Sequence, residues 1–431
     1  MGQGRIPGGA PMSEETRSAG TQTGVGAGRY LEDVDVYGDA RVSVHQLTTH
    51  DGARVGGVLR RPLGTARTVV TIMHPREDVT HHPLSGPLLR AGYAVWTQGT
   101  RSVNNDLNLL HEQAVLDVAA GQSFLREEGF ESVVTLGHSG GGTLFAFYQE
   151  QASAPPAERL DRSPSGKPTP LPEAPMPTPD GALFVAPHPG QGVLLSRLID
   201  PSVTDETAPL SVDPALNLYE SKNGFVNAPA MSSYDHAFLE SYRAAQSARV
   251  ERIDAHAQEL LADARRARGA FAQSKDAADR RRAIAPRVIA VYRTDADPRC
   301  VDLSLDRNER PYGSLFGNRP DLTNYGLIGF ARLTTPDAWM STWSATTSRA
   351  NFVRNAPGVR SPALLIEFTG DQACFPSDAR EMYDALGSLD KQHVKVPGRH
   401  FGQPIREGEP TGIELSAERI VRWMQERFPV A

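Results

Sequence analysis

A serine hydroxyl attacks a carbonyl only where the chain holds it clear of its neighbours and a base stands within hydrogen-bond reach. Ser139 meets the first condition. It lies between Gly137 and Gly141, after the apolar run of Val133, Val134 and Leu136 and before Leu144, Phe145, Ala146, Phe147 and Tyr148, which read as the apolar face of a helix. A serine on a sharp strand-to-helix turn needs small residues two places before and two places after it, so that the backbones can pass closely. Two other glycine-rich turns are excluded by residue type. A phosphate loop would carry lysine before its Ser or Thr, and here Gly142 precedes Thr143. A dinucleotide-binding turn would begin its glycines at the strand end, whereas Ser139 occupies the middle.

The base must come from elsewhere in the chain, and position separates the twelve histidines. His400 follows a short strand (Val394, Lys395, Val396) and a glycine turn at Gly398, and it precedes a helix expected over residues 415–428. That puts it on a loop at the carboxyl edge of a sheet, where open α/β sheets carry their sites. His138 adjoins the nucleophile, but its side chain is expected to point away from the base position as an elbow residue. The acid that orients the base is expected at Asp371, in a turn directly after the apolar run 363–368 and upstream of His400. A carboxylate there accepts from the imidazole and stabilises the imidazolium. Asp378 is the reserve, with capping of the following helix as its ordinary role. Cys374 reads as loop packing.

A tetrahedral oxyanion needs two N–H donors. Gly140 supplies one, at a helix N-terminus whose dipole favours negative charge. The second is expected from the loop after residues 68–73, where Pro75 has no N–H, so the role falls to Arg76 or its neighbour. Glu77, Asp78, His81 and His82 lack the H-E-x-x-H spacing of a metal helix and read as a polar active-site rim. Neither a metal nor a bound cofactor is called for.

These groups need a sheet to hold them. Residues 41–47 and 54–60 flank Asp51 and Gly52 and predict a hairpin of edge strands. Residues 68–73, 93–96, 132–136 and 182–186 are apolar runs suited to buried parallel strands, and residues 112–128 read as an amphipathic helix among them. Alternating strands and helices imply a parallel sheet. Residues 152–179, dense in proline, serine and charge, predict an irregular surface loop.

From residue 188 to about 357 the pattern changes. Residues 233–284 lack proline and place Leu239, Tyr242, Val250, Ile253, Ala257, Leu260 and Ala264 at helical spacing, as one long helix or a helical hairpin. Residues 288–292 and 300–305 bracket a turn and predict a β-hairpin. Trp339, Trp343, Phe352, Phe316 and Tyr325 are expected in the core of this segment rather than against substrate. The division is therefore a disordered segment 1–29, the first part of an α/β core at 30–187, an inserted lid at 188–357, and the rest of the core at 358–431.

The 431 residues carry a net charge of −6, which gives no basic footprint for nucleic acid. Two cysteines form no disulfide framework and fit a reducing, cytoplasmic setting. No apolar run reaches the ~20 residues that span a bilayer. The partner expected is a small-molecule substrate, while the long polar helix of the lid offers a surface for a homodimer.

In motif and in chain order, Ser139 within Gly137–Gly141, then Asp371, then His400 resembles the α/β-hydrolase superfamily, and in detail its bacterial esterases and lipase-like members. The resemblance covers roughly residues 40–187 and 358–429, with the middle segment similar in placement to the lids that many members insert. It implies the α/β-hydrolase fold, with an eight-stranded, mostly parallel sheet, helices on both faces and a mainly helical lid. It also implies a Ser-His-Asp triad. Two departures stand out: His74, Pro75 and Arg76 replace the commoner His-Gly opening of the oxyanion loop, and Asp371 comes one place early relative to Pro376. The expected activity is cleavage of a carboxylic ester through an acyl-enzyme. On the same fold, β-diketone carbon–carbon hydrolysis, thioester, lactone or amide cleavage compete, and a binding or assembly protein with a degenerate triad is the reading from another class.

Overall fold

The computed structural model describes residue 38 and residues 40–430, so the segment 1–29 lies outside it. Six strands precede the insertion: β1 (Arg41–Thr48), β2 (Arg54–Arg61), β3 (Thr68–Met73), β4 (Ala94–Gln98), β5 (Ser132–His138) and β6 (Gly181–Val185). Two short ones, β7 (Ile289–Ala290) and β8 (Leu333–Thr334), lie within it, and β9 (Ala363–Phe368) and β10 (Lys391–Val396) follow. The main sheet has eight strands in the order β1-β2-β4-β3-β5-β6-β9-β10. Only β1 with β2 and β2 with β4 run antiparallel; the other pairs are parallel. This is the mostly parallel sheet of the α/β-hydrolase fold. β2 is one strand in from the edge rather than an edge strand, because β4 pairs with its far side.

The strands are apolar throughout because helices cover both faces. In β9, Leu364, Ile366 and Phe368 face a cluster with Leu88, Ile420 and Trp423, which come from α1 (Ser85–Arg90) and α11 (Gly412–Gln425). The alternate residues Ala363 and Leu365 face Val115, Phe145 and Met382 from α2 (His111–Glu127), α3 (Gly140–Ser153) and α10 (Pro376–Ala385). A period of two on a two-sided strand gives this split. Each fully buried Leu, Ile or Phe contributes about 1.5–3 kcal/mol. Residues 152–179 are irregular, as expected, but not superficial: Leu171, Ala174 and Met176 pack into the α2–α3 cluster.

The insertion begins with α4 (Gln191–Leu198) and is dominated by α5 (His236–Ser274), which breaks at Lys275 (φ 57°) before α6 (Ala277–Ile284). Its buried stripe runs Tyr242, Gln246, Val250, Ile253, Ala257, Leu261 and Ala264, with Leu260 half-buried against the same cluster. Short turns follow at α7 (Pro320–Thr323), at α8 (Pro336–Ala338) leading into a π turn over Trp339–Trp343, and at α9 (Phe352–Asn355). The expected hairpin at 288–305 is absent: Ile289 pairs with Thr334 instead, and Pro298–Cys300 forms a 3-10 turn capped by Asp297. Trp339 and Trp343 are buried with α4 and α5, as expected, whereas Phe352 packs edge-on against Phe184 of the main sheet. Tyr325 is exposed at 44% and accepts a hydrogen bond from Arg293, whose guanidinium covers its ring. Among the described residues no helix is long and apolar enough to cross a membrane.

Candidate active site

β5 and α3 meet at Ser139, whose backbone stands at φ 53°, ψ −121°. A residue with a Cβ holds such angles only at a cost of roughly 1–3 kcal/mol, so the surroundings must enforce it. They do so by hydrogen bonds from the Ser139 N–H to the Val185 carbonyl (3.0 Å) and from the Gly142 N–H to the Ser139 carbonyl (3.0 Å). They also do so by close approach. A Cβ on Gly137 would stand 2.4 Å from the carbonyl carbon of Gly141, and one on Gly141 would stand 2.4 Å from the Met73 carbonyl oxygen.

The structure brings Ser139, His400 and Asp371 into one line. His400 Nε2 is 2.8 Å from Ser139 Oγ, and His400 Nδ1 is 2.9 Å from Asp371 Oδ2 and 3.0 Å from Oδ1. All three are shielded, with exposures of 8% for Ser139, 2% for His400 and 0% for Asp371. Asp371 follows β9, and its Oδ1 accepts from the backbone N–H groups of Ala373 (2.7 Å) and Cys374 (3.0 Å). The insertion reaches the same turn, where Asn308 donates to the Asp371 carbonyl at 2.9 Å. Asp378 is turned elsewhere: it caps the Phe375 N–H and pairs with Arg197 at 2.5 Å. Cys374 is buried, and burial raises its thiol pKa.

His138 holds His400 by its backbone. Its Nε2 donates to the His400 carbonyl at 2.7 Å, while its Nδ1 faces His82 Nε2 at 3.2 Å, and His82 Nδ1 accepts the Leu84 N–H at 3.3 Å. One tautomer satisfies the whole chain, with the proton on Nε2 of both rings. Burial keeps both rings neutral, pushing His138 down to about 4 and His82 well below its usual value, with each neighbouring imidazole adding to the effect. His82 is therefore no rim residue; it is fully buried behind His138, and of the pair His81 alone is exposed. Adjacency to Ser139 was the only sign of this chain in the sequence.

Gly140 opens α3 immediately after Ser139, where its N–H is among those left free by the first helical turn. Arg76 is placed differently from the expectation. Its backbone N–H donates to His74 Nδ1 at 3.1 Å, beside the Glu77 N–H at 2.9 Å on the same atom. Its guanidinium grips Asp106 in a two-point pair and lies over Phe330 (5.0 Å) and Trp343 (4.9 Å), two aromatics of the insertion. Arg76 thus ties the loop after β3 to the insertion. The side chains of His74, His188 and Gln191, to which the sequence assigned no role, close around Gly140. Among the described residues no group of three or more His, Cys, Asp or Glu side chains is arranged to hold a metal ion.

No protein-family model matches this sequence, and no curated protein matches it. Solved structures similar to it in fold include the following three. DcsB, in complex with its substrate analogue, is 11% identical, with 90% of this chain and 99% of that chain covered and a TM-score of 0.48. The esterase domain of a Rhodothermus marinus protein is 12% identical, with 91% and 100% covered and a TM-score of 0.42. An esterase of Pyrococcus furiosus is 11% identical, with 94% and 98% covered and a TM-score of 0.42.

Proposed function

We propose that this chain, built on an α/β-hydrolase sheet, is a serine hydrolase that cleaves a carboxylic ester through an acyl-enzyme. The observation that carries the reading is the continuous hydrogen-bonded line from Asp371 through His400 to Ser139, with 2.9 Å and 2.8 Å between heavy atoms at its two joints. Asp371 accepts the His400 Nδ1–H, which leaves the Nε2 lone pair facing the serine hydroxyl. On attack the Oγ–carbon bond forms, the hydroxyl proton passes to Nε2, and the carbonyl pair moves onto oxygen beside the Gly140 N–H. Collapse expels the alcohol, which takes the proton back from His400. Water then repeats the sequence on the acyl-enzyme and releases the acid. Burial of all three groups strengthens each of these interactions by excluding water. The segment 188–357 serves as the lid that closes this site and shapes it for substrate.

The test is turnover of short-acyl p-nitrophenyl esters, with a pre-steady-state burst equal to the enzyme concentration. Ser139→Ala should lower kcat by about 10⁶-fold if the three residues act as a unit. Wild-type turnover in that variant rejects the reading. Turnover of a β-diketone with none of esters would move the reaction to carbon–carbon hydrolysis.

A further inference from the structure

The carboxylate of Asp371 is fixed within its own turn, but the turn must itself be held against His400. Oδ1 of Asp371 accepts the Ala373 and Cys374 N–H groups at 2.7 Å and 3.0 Å, and those two bonds travel with the turn if it moves. The first half of the turn is tied to the strand that leads to His400. There the Thr369 N–H donates to the Val396 carbonyl and the Gly370 N–H to the Gly398 carbonyl, both at 2.9 Å. The second half is tied to the insertion. Asn308 Nδ2 donates to the Asp371 carbonyl at 2.9 Å, and Gln372 Nε2 donates to the Gly313 carbonyl at 2.8 Å. The Glu309 N–H reaches across to the Thr369 carbonyl at 2.7 Å.

The insertion's side of this contact is firmly built. Asn308 Oδ1 accepts twice from Arg310, from its backbone N–H at 3.1 Å and from Nη1 at 2.8 Å, so the NH₂ end of the amide is the one turned to Asp371. Arg310 is 4% exposed, and its guanidinium also donates to the carbonyls of Arg299 (3.0 Å), Leu305 (2.7 Å) and Asp306 (3.0 Å). Residues 299–310 are thus wound around one buried cation. Arg299 (3.8 Å) and Arg310 (4.9 Å) both lie over the ring of Phe375, at the end of the acid turn. Asn308 itself is half-buried, so a change there empties no core.

We propose that Asn308 is a positioning residue for the hydrolysis: through the Asp371 carbonyl it sets the carboxylate at the distance His400 requires, so the insertion takes part in the reaction as well as covering the site. The inference rests on Asp371 being the acid, as argued above. Asp371 Oδ2 stands 2.9 Å from His400 Nδ1. A hydrogen bond weakens as that distance opens, and a misplacement of about 1 Å costs on the order of 10²-fold in rate.

Asn308→Asp keeps an acceptor for Arg310 and sets an oxygen, in place of the NH₂, against the Asp371 carbonyl. The expected kcat on a p-nitrophenyl ester is lower by about 10–10²-fold, with KM and thermal midpoint near wild type. Arg307→Ala, one place earlier and exposed, should keep wild-type kcat. The double variant separates positioning from a structural role. In the Asp371→Asn background, where the acid no longer orients the base, Asn308→Asp should lower kcat no further. A loss that adds in full to that of Asp371→Asn, or a folded Asn308→Asp with wild-type kcat, overturns the inference. Asn308→Ala carries the same cycle should the aspartate variant not fold. Proton spectra give an answer without turnover: the downfield resonance of the His400 Nδ1 proton should move upfield in Asn308→Asp and stay in place in Arg307→Ala, and an unmoved resonance in Asn308→Asp overturns the proposal. Wild-type turnover in Asp371→Asn alone removes the acid assignment itself, whatever Asn308 does.

Discussion

Asp371→Asn is the substitution whose outcome the geometry constrains most closely. Oδ1 of Asp371 accepts two backbone N–H groups, from Ala373 and Cys374, so the asparagine oxygen must take that place. Its NH₂ then stands where Oδ2 now meets His400 Nδ1 at 2.9 Å. Two N–H groups repel at that distance, and the asparagine oxygen, 3.0 Å from Nδ1, is already taken by two backbone N–H groups, so the tautomer protonated on Nε2, against the Ser139 hydroxyl, is favoured. The base then has no lone pair toward the nucleophile. The same change of tautomer in a serine protease costs about 10⁴-fold in kcat, and a loss of that order is expected here at nearly constant KM. Steady-state kinetics on a p-nitrophenyl ester, with circular dichroism to confirm the fold, measures it. A variant within about tenfold of wild type, or one affected only in KM, would refute the assignment of Asp371 as the acid.

Asp378→Asn tests the reserve acid: it removes the buried charge opposite Arg197, so stability should fall by about 2 kcal/mol in urea titration while kcat stays near wild type. Gly137→Ala forces a methyl to within 2.4 Å of the α3 backbone and should cost on the order of 3 kcal/mol together with most of the activity, read by thermal melts and ester turnover. Four buried histidines are held neutral by burial, His111 and His138 down to about 4 and His82 and His188 also well below the usual value. With folded values depressed below the unfolded ~6.5, this stability is present above pH 6.5 and lost as pH falls toward 4, at about 1.4 kcal/mol per pH unit per fully shifted group. Glu112, pushed up to about 7 by burial against the opposing hydrogen bond from Ser341, acts in the opposite sense between pH 4.5 and 7, so Glu112→Gln should steepen the acid loss. Urea midpoints from pH 8 to 4.5 that stay flat would contradict the neutral, buried state of these rings.

The elbow could be read before any coordinates because its requirements are local: a strand, two glycines and a helix within a dozen residues. The proximity of His400 and Asp371 to Ser139 followed from chain order on a parallel sheet, where each lies on a loop beyond a strand's carboxyl end. What depended on distant packing could not be read. The amphipathic pattern of residues 112–128 gave no sign that Glu112, Asp117 and Gln122 are all buried, Glu112 under Ser341 of the insertion and Asp117 under Arg101. Ile289 looked like one arm of a hairpin, but its partner Thr334 lies beyond two further turns of the insertion. The Arg76 N–H looked available because nothing in the sequence gives the direction of a turn after proline, and the direction taken serves the ring of His74. The chain from Leu84 through His82 and His138 to His400 joins three separate elements, so spacing carried no sign of it.

The central claim is that the hydroxyl of Ser139 is a nucleophile. Incubation with a fluorophosphonate followed by intact-mass and peptide mass spectrometry measures it directly. The expected result is one adduct per chain, on Ser139, absent from Ser139→Ala and slowed in Asp371→Asn. A folded wild-type protein that stays unlabelled at Ser139, or labels equally when Ser139 is alanine, would contradict the account.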